Sequence, residues 1–308
     1  MSPHTSITII FSPYHVGLRD HRVGNGPHRI LSRGLEQELK DLNVPIAIIE
    51  IDRVDTFEGE IGRSFEIMRR ISTAVSNAVA SGSFPLILSG NCMASAAVAC
   101  GLRGRQQRDT ERNKDDILNF IYFDAHDDLD SPDVNENGYL DAMGLSMLRG
   151  ESWKTLMASV PGFTPFDYRR SRFLYCGLRD QSAVQRKRVI NAGMHSIWGD
   201  AEKKVDFVSE LKTRLEADSH HPALVHLDLD VLDDSYGKVN DYPSPGGLFE
   251  DELVSCMGIV ARMVVPTSLT VCSFDPDAGD GDRIADIAVR GITAFFKGLL
   301  CKGVFNSR

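Results

Sequence analysis

The chain has no apolar run that approaches the roughly 20 residues of a membrane-spanning helix. Its first residues lack the basic segment and apolar core that mark a secretory signal peptide. Basic residues are also few, since 34 Lys and Arg face 43 Asp and Glu, and no basic stripe is present. These absences argue against a membrane protein, an exported protein or nucleic acid as a partner.

The sequence also lacks Pro- or Ser-rich linkers, composition breaks and internal repeats of fixed period. We therefore expect a single domain over residues 1–308. The six cysteines are scattered, and most lie in apolar segments. This pattern is typical of buried thiols in a reducing compartment and not of a disulfide framework, so we expect a cytoplasmic protein.

Short apolar segments alternate with helical segments along the whole chain. The segments that predict strands are residues 7–11, 45–51, 84–88, 120–123, 173–176, 196–198, 224–229 and 269–274. The segments that predict helices are residues 27–42, 65–79, 94–99, 138–148, 182–191, 200–215, 248–264 and 282–301. The alternation predicts an α/β fold, a three-layer αβα sandwich around a mainly parallel sheet of about eight strands.

Two of the predicted strands end in acidic clusters. One apolar strand runs directly into Asp124, His126 and Asp128, and a second into Asp228 and Asp230. Open α/β sheets bind their ligands at the carboxyl ends of parallel strands. Alternate residues of an extended chain point the same way, and like charges placed together repel unless a cation lies between them. Carboxylate and imidazole groups suit a divalent transition metal.

Five such side chains are sufficient for a two-metal site, in which the ions activate a water molecule as the nucleophile. The simpler alternative for either cluster is a solvated strand end. The combination of DAHDD with a second DxD favours the metal site.

Cys92 follows a third predicted strand, in the turn Ser89-Gly90-Asn91-Cys92 before a helix. The dipole of that helix would favour the thiolate and lower the pKa of the thiol. Cys92 is therefore a candidate metal ligand or nucleophile, and the alternative is a buried inert thiol. Asp141 lies near the start of a predicted helix, where it could act only as a capping residue.

In chain order, these motifs resemble those of the arginase/agmatinase (ureohydrolase) family along nearly the whole sequence. Residues 17–27 are similar to its GGV-x-x-GP loop, and residues 89–93 stand where it has GGDHS. Residues 124–128 match its DAHTD, residues 177–180 its GLRD, and residues 228–234 its DxDxxDP.

The resemblance implies a metal-dependent hydrolase with two Mn²⁺ ions. The implied metal ligands are Cys92, Asp124, His126, Asp128, Asp228 and Asp230. Asp124 and Asp228 would be shared by the ions, and Asp128 would also hold the attacking water. That water would attack an sp² carbon bearing nitrogens, and an amine would then leave. Family members often form trimers or hexamers, so a homo-oligomer is expected.

The sequence departs from the family pattern at one metal ligand. Cys92 replaces a histidine, and a thiolate is softer than imidazole and suits Mn²⁺ less well. Three possibilities therefore stay open for the Cys92 side of the site: a weakly held ion, no ion or a different metal.

Further departures fall at positions that contact substrate in the family. Asp141 replaces a proton-shuttling histidine, and Ser273 replaces the glutamate that binds the guanidinium. Asp130 and Asn137 stand where arginases bind the amino-acid carboxylate, and Ser182 replaces an acid after GLRD. Asp130 would repel a carboxylate, and a serine cannot pair with a guanidinium as a carboxylate does.

These departures imply a substrate other than arginine, namely another small amidine, guanidine or amide. The chain resembles a divergent branch linked to specialised metabolism, similar to enzymes that hydrolyse N-hydroxyarginine. Three alternatives stay open. The metal could support cyclisation, condensation or epimerisation, or the protein could bind a small molecule or partner without catalysis. Cys92 could also act as a covalent nucleophile, with His126 as its base.

Metal uptake tests the central prediction of the sequence. We expect a well-folded sample to bind Mn²⁺, Co²⁺ or Zn²⁺, because the clustered carboxylates need a cation between them. Elemental analysis by ICP-MS after dialysis measures the bound metal. A folded sample that retains none of the three metals contradicts the prediction.

Overall fold

The computed structural model describes residues 4–106 and 117–305. The strands in this part of the chain are β1 (Ser6–Ser12), β2 (Tyr14–His15), β3 (Leu18–Arg19), β4 (Ile46–Glu50), β5 (Ser83–Ser89), β6 (Asn119–Phe123), β7 (Phe173–Leu178), β8 (His195–Trp198), β9 (Ala223–Asp228) and β10 (Pro266–Cys272). The longer strands form one parallel sheet in the order β4-β1-β5-β10-β9-β6-β7-β8. Strands β2 and β3 form a small antiparallel hairpin.

Helices cover both faces of the sheet. They are α1 (Gly26–Ser32), α2 (Leu35–Lys40), α3 (Glu60–Ala80), α4 (Ala94–Gln106), α5 (Gly144–Leu148), α6 (Lys154–Met157), α7 (Ala183–Asn191), α8 (Phe207–Ala217), α9 (Glu250–Met263) and α10 (Gly281–Cys301). Within residues 4–106 and 117–305, no helix combines the length and the apolar character that crossing a membrane requires.

Each face of the sheet packs against its own set of helices because successive strand residues point in opposite directions. Ile9 and Val225 lie in the core formed with α1, α2, α8, α9 and α10. Ile10 and Tyr122 lie in the core formed with α3 to α7. The predicted three-layer αβα sandwich is confirmed, with an eight-stranded parallel sheet as its central layer.

Among the predicted helices whose bounds differ in the structure, three have an identifiable local cause. The helix predicted over 27–42 is divided, because Gly34 adopts a left-handed φ of 91° between α1 and α2. The helix predicted over 200–215 begins only at Phe207, where Asp206 caps it by accepting a hydrogen bond from the Ser209 amide. The helix predicted over 138–148 starts as the 3-10 turn Leu140–Met143 and becomes α-helical from Gly144.

The order of the strands positions the site. At the carboxyl edge of the sheet, Cys92, Ser273 and Asp124 follow the strands β5, β10 and β6, and Asp228 is the last residue of β9, which lies between β10 and β6. Because parallel strands all end at the same edge, residues distant in sequence meet there.

Close packing of α3 against α4 is predicted to depend on Gly101. A Cβ added there would lie 2.5 Å from the carbonyl oxygen of Ser72 and 2.8 Å from the Cβ of Val75. We expect Gly101→Ala to lower the free energy of unfolding by about 1–3 kcal/mol, since overpacking outweighs the gain in helix propensity. Chemical denaturation measures the change.

Gly62→Ala is the matched control for that substitution, since Gly62 also lies inside a helix. Its added Cβ would meet only Glu58, at the flexible carboxylate end 2.5 Å away. This variant should gain up to about 1 kcal/mol from helix propensity. Equal effects at both positions would contradict the prediction.

Candidate metal centre

The two acidic strand ends are closed by the same local hydrogen bond. Asp124 Oδ1 accepts from the His126 amide at 2.7 Å, and Asp228 Oδ1 accepts from the Asp230 amide at 2.7 Å. Each bond bends the chain directly after the strand, so that the first acid and the residue two positions later face the same space. Asp128 continues the first turn with a left-handed φ of 52°. Such a conformation is uncommon for a non-glycine residue and is concentrated at functional sites.

The predicted ligands from the two strand ends meet around His126. Its Nδ1 lies 3.1 Å from Asp230 Oδ2 and 3.7 Å from Asp124 Oδ1. One ligand atom from each of Asp124, His126 and Asp230 lies within 4.8 Å of the others, close enough to share one ion. Asn240 Nδ2 donates to Asp230 Oδ2 at 3.0 Å and orients that carboxylate.

The remaining predicted ligands form a second group on the Cys92 side. Cys92, Asp124 and Asp128 have ligand atoms within 4.8 Å of one another, and His226 belongs to the same group. Asp228 instead groups with Cys92, His226 and Cys272, and its Oδ2 lies 2.7 Å from Cys92 Sγ. The structure thus brings all six predicted ligands to one place and adds two side chains that were not predicted.

The pKa values of the clustered side chains indicate strong repulsion between buried carboxylates, which a bound cation would relieve. Burial, together with neighbouring carboxylates, raises the pKa of Asp124, Asp128 and Asp228 well above the usual range. Burial also acts to raise the pKa of Asp230. The charge of His126, together with hydrogen bonds from His126 and Asn240, nevertheless holds the pKa of Asp230 below its ordinary value. Burial lowers the pKa of His126, yet the carboxylates around it, with Asp230 the strongest, raise it well above its usual range.

Two of these ligand atoms have no hydrogen-bond partner although they are shielded from solvent. They are Asp124 Oδ2 and Asp128 Oδ2. Buried polar atoms are normally satisfied, so these orphaned atoms fit coordination to metal ions. The donors of Asp124, His126 and Asp230 are the hard oxygens and imidazole that suit Mn²⁺.

The expected lowering of the Cys92 pKa is wrong. Burial raises the pKa of this thiol well above its ordinary value, and a hydrogen bond with Cys272 and the charge of Asp228 act in the same direction. The helix dipole is outweighed because the thiol is 5% exposed and faces a carboxylate. Cys92 is therefore protonated when no metal is bound, which disfavours its role as a free nucleophile.

Asp141 lies beside the Cys92 turn and lines the cavity above the cluster. Its two oxygens accept from Asn91 Nδ2 at 2.7 Å and from the Met93 amide at 2.8 Å. Burial raises the pKa of Asp141 to about 6, against the opposing effect of these hydrogen bonds. The residue therefore holds the Cys92 turn in place as well as facing the cavity.

Three of the four predicted substrate-binding residues line the same cavity, which has a volume of about 430 Å³. Asp130 is paired with Arg188 at 2.8 Å and accepts from Asn135 at 2.8 Å, so its charge is balanced. Asn137 is exposed at the cavity wall, and the Ser273 hydroxyl accepts from Asn240 at 3.0 Å.

Ser182 has a structural role in the helix that follows it. It caps α7 by accepting from the Gln185 amide, and the Gln185 side chain accepts in return from the Ser182 amide. Asp180 and Gln185 contribute to the cavity wall on either side of Ser182.

Several residues near the cluster were not predicted from the sequence. Asp180 Oδ2 lies 3.4 Å from His126 Nε2, and Tyr139 and Tyr242 form an aromatic pair on the wall, with ring centroids 5.8 Å apart. His226 and Cys272 are the most informative omissions. A polar residue inside the apolar segment 224–229, alternating with Asp228, was the available signal for His226.

A buried arginine supports the cluster from behind. Arg179 is 8% exposed, and its guanidinium donates to the carbonyl oxygens of Asp230 at 2.8 Å, Leu232 at 2.9 Å and Ser244 at 2.9 Å. It thereby ties strand β7 to the loop that follows the second acidic strand end.

Comparison with known proteins places this geometry in a family. The sequence model of the arginase family matches residues 6–296. The chain belongs to the arginase family. The predicted family and enzyme class are thereby confirmed: this arginase-family protein is a metal-dependent hydrolase of non-peptide C–N bonds.

The relatives of this arginase-family protein are distant in sequence. The arginase of Bacillus caldovelox is 24% identical over 307 residues, covering 94% of this chain and 97% of that protein. The arginase of Entamoeba histolytica, in complex with L-ornithine, superposes with a TM-score of 0.78 at 15% identity over 96% of this chain and 98% of the other. Formimidoylglutamase from Bacillus subtilis gives 0.71 at 17% identity over 97% and 89%. These structural likenesses show the shared fold.

Removing one charge from the cluster should stabilise the metal-free protein. In Asp124→Asn the amide oxygen can still accept from the His126 amide, but the repulsion between buried carboxylates falls. We expect the melting temperature without metal to rise by a few degrees. For the wild type, Mn²⁺ at 100 times its Kd should add about 2.7 kcal/mol to the free energy of unfolding. The rise in melting temperature that this produces should be largely lost in the variant.

Asp167→Asn is the control, since Asp167 is exposed and accepts in the same way from the Arg169 amide at 3.0 Å. Differential scanning calorimetry with and without metal measures both variants. The melting temperature of metal-free Asp124→Asn could instead fall below that of the wild type while that of Asp167→Asn stays unchanged. This result would show that carboxylate repulsion does not dominate the site.

Proposed function

We propose that this arginase-family hydrolase acts on an amidine, guanidine or amide-type small molecule other than arginine, in specialised metabolism. The observation that carries the proposal is the combination of a retained acidic cluster with a changed substrate pocket. The cluster brings Asp124, His126 and Asp230 within 4.8 Å of one another. The position of the family's guanidinium-binding carboxylate is occupied by Ser273, whose hydroxyl is engaged by Asn240.

Two metal ions are proposed, with Mn²⁺ held by Asp124, His126 and Asp230. When bound, such ions supply Lewis-acid activation of water and of the scissile group. Asp128 is proposed to orient the attacking water, because its Oδ2 has no protein hydrogen-bond partner and its carboxylate lines the cavity. Asp141 is proposed to carry the proton to the leaving amine, since its pKa of about 6 allows both protonation states near neutral pH.

The residues of the cavity wall support a substrate that differs from arginine at the α-amino-acid end. Arg188 and Asn135 occupy both oxygens of Asp130, so this residue offers little free charge to an α-amino acid. Tyr139 and Tyr242 present aromatic surface instead. Asn137 and Ser273 complete the proposed contacts, and Ser182 is proposed to act only through the position of α7.

The remaining parts of the proposal follow the sequence. We propose a cytoplasmic protein that assembles as a homo-oligomer, with a small molecule as its substrate. Neither nucleic acid nor a membrane is proposed as a partner. The net charge of −9 supports the exclusion of nucleic acid.

Hydrolysis of a substrate panel in H₂¹⁸O tests the function. The metal-loaded protein is incubated with L-arginine, agmatine, N-substituted guanidines, amidines and primary amides, and products are followed by mass spectrometry. We expect one non-arginine substrate to exceed L-arginine by about 10–150-fold in kcat/KM, as loss of a charge-assisted hydrogen bond costs about 1.5–3 kcal/mol. The product should carry ¹⁸O.

Asp128→Asn controls for a contaminating hydrolase and should abolish the activity. L-Arginine as the best substrate would overturn the proposed specificity. An altered product without ¹⁸O would instead favour cyclisation, condensation or epimerisation.

A further inference from the structure

Two thiols, an imidazole and a carboxylate meet beneath the acidic cluster. Cys92 Sγ lies 3.5 Å from Cys272 Sγ, and Cys272 Sγ lies 3.7 Å from His226 Nε2. Asp228 Oδ2 closes the group at 2.7 Å from Cys92 Sγ. One ligand atom from each of the four residues lies within 4.8 Å of the others, and none of the four is more than 5% exposed.

The register of the sheet produces this arrangement. Strands β9 and β10 pair so that Asp228 lies opposite Cys272 and His226 lies opposite Thr270. Since alternate residues of a strand share a face, His226 and Asp228 point to the same side. Strand β5 is the other neighbour of β10, and the turn that follows it delivers Cys92 to the same side.

The spacing approaches that of a tetrahedral zinc site. With Zn–S bonds of about 2.3 Å and Zn–N bonds of about 2.0–2.1 Å, neighbouring ligand atoms lie about 3.8 Å apart for two sulfurs and about 3.6 Å for sulfur and nitrogen. The observed separations of 3.5 Å and 3.7 Å are close to these values. The contact between Cys92 and Asp228 is shorter, as expected for a thiol that still donates its proton.

The imidazole of His226 is held in the orientation of a metal ligand. Its Nδ1 is 2.7 Å from Ser95 Oγ, and its ring stacks on Tyr122 with centroids 3.8 Å apart and planes inclined by 8°. This leaves Nε2 facing Cys272 Sγ at 3.7 Å and Asp124 Oδ2 at 3.6 Å. Metal-bound histidines characteristically hydrogen-bond through their other ring nitrogen in this way.

We propose that Cys92, Cys272, His226 and Asp228 form a site for Zn²⁺ or another thiophilic divalent ion. This ion shares Cys92 and Asp228 with the second Mn²⁺ that the family implies but does not use Asp128, and it replaces that Mn²⁺, so that the centre holds two different metals. Binding converts thiols to thiolates and releases their protons to solvent, with no change of oxidation state. The donor set of two sulfurs, one nitrogen and one oxygen is typical of Zn²⁺ and unsuited to Mn²⁺.

The proposal goes beyond the proposed function, because it concerns one ion and holds whichever C–N bond is hydrolysed. Its test therefore uses spectroscopy instead of turnover. Protein stripped of metal under anaerobic conditions is reloaded with Zn²⁺, and X-ray absorption at the zinc edge reports the ligands. We expect sulfur at about 2.3 Å and lighter donors at about 2.0–2.2 Å. Co²⁺ in place of Zn²⁺ should give thiolate charge-transfer and tetrahedral d–d bands.

Matched variants separate this site from general effects on the core. Cys272→Ala and His226→Gln should weaken Zn²⁺ binding at least about tenfold and remove one sulfur or one nitrogen from the spectrum. Cys100→Ala and His220→Gln change a buried thiol and a buried imidazole elsewhere and should leave zinc binding unchanged. Mn²⁺ uptake by the Asp124, His126 and Asp230 group should persist in all four variants.

A zinc spectrum without sulfur, or equal zinc affinity in wild type and Cys272→Ala, would overturn the proposal. Circular dichroism identifies any variant that does not fold. In that case the wild-type zinc and cobalt spectra decide the question alone. Failure of the substrate panel would not alter these spectra, so the two proposals fail separately.

Discussion

Mutual repulsion among buried carboxylates is the constraint on which this protein is built. Asp124, Asp128, Asp228 and Asp230 are all below 9% exposed and lie at two strand ends in the centre of the sheet. The fold holds them together through short backbone bonds, such as those of the His126 and Asp230 amides. In the described part of the chain, residues 4–106 and 117–305, the ion pairs of these carboxylates are with histidine and not with lysine or arginine. Most of their charge is therefore left for cations to balance.

The acidic cluster was predictable because it depends on local pattern. Asp124 and Asp228 each end an apolar strand, and in a parallel sheet all such ends share one edge. His226 and Cys272 were missed because their partnership depends on which strands are neighbours and in what register. The break at Gly34 was missed because the apolar pattern continues through it.

The substrate side was less predictable because it is formed by loops from three parts of the chain. Asp130 was expected to carry free negative charge, but Arg188, distant in sequence, pairs with it at 2.8 Å. Cys92 was expected to be acidic from its position before a helix, but its surroundings reverse that effect. In both cases the neighbour that sets the charge state lies on another element. The local sequence could therefore identify the residue but not its charge state.

The hydrogen bonds of the Arg179 guanidinium bear on how the centre binds metal ions. It is bonded to backbone carbonyls of Asp230, Leu232 and Ser244, and none of these bonds involves a metal ligand atom. The loop scaffold is therefore cross-linked independently of ion occupancy. In small zinc domains the chain folds only when the ion arrives. In this protein the site is formed before a metal ion binds, so metal loading depends on the supply of ions and on their exchange rates in the cell.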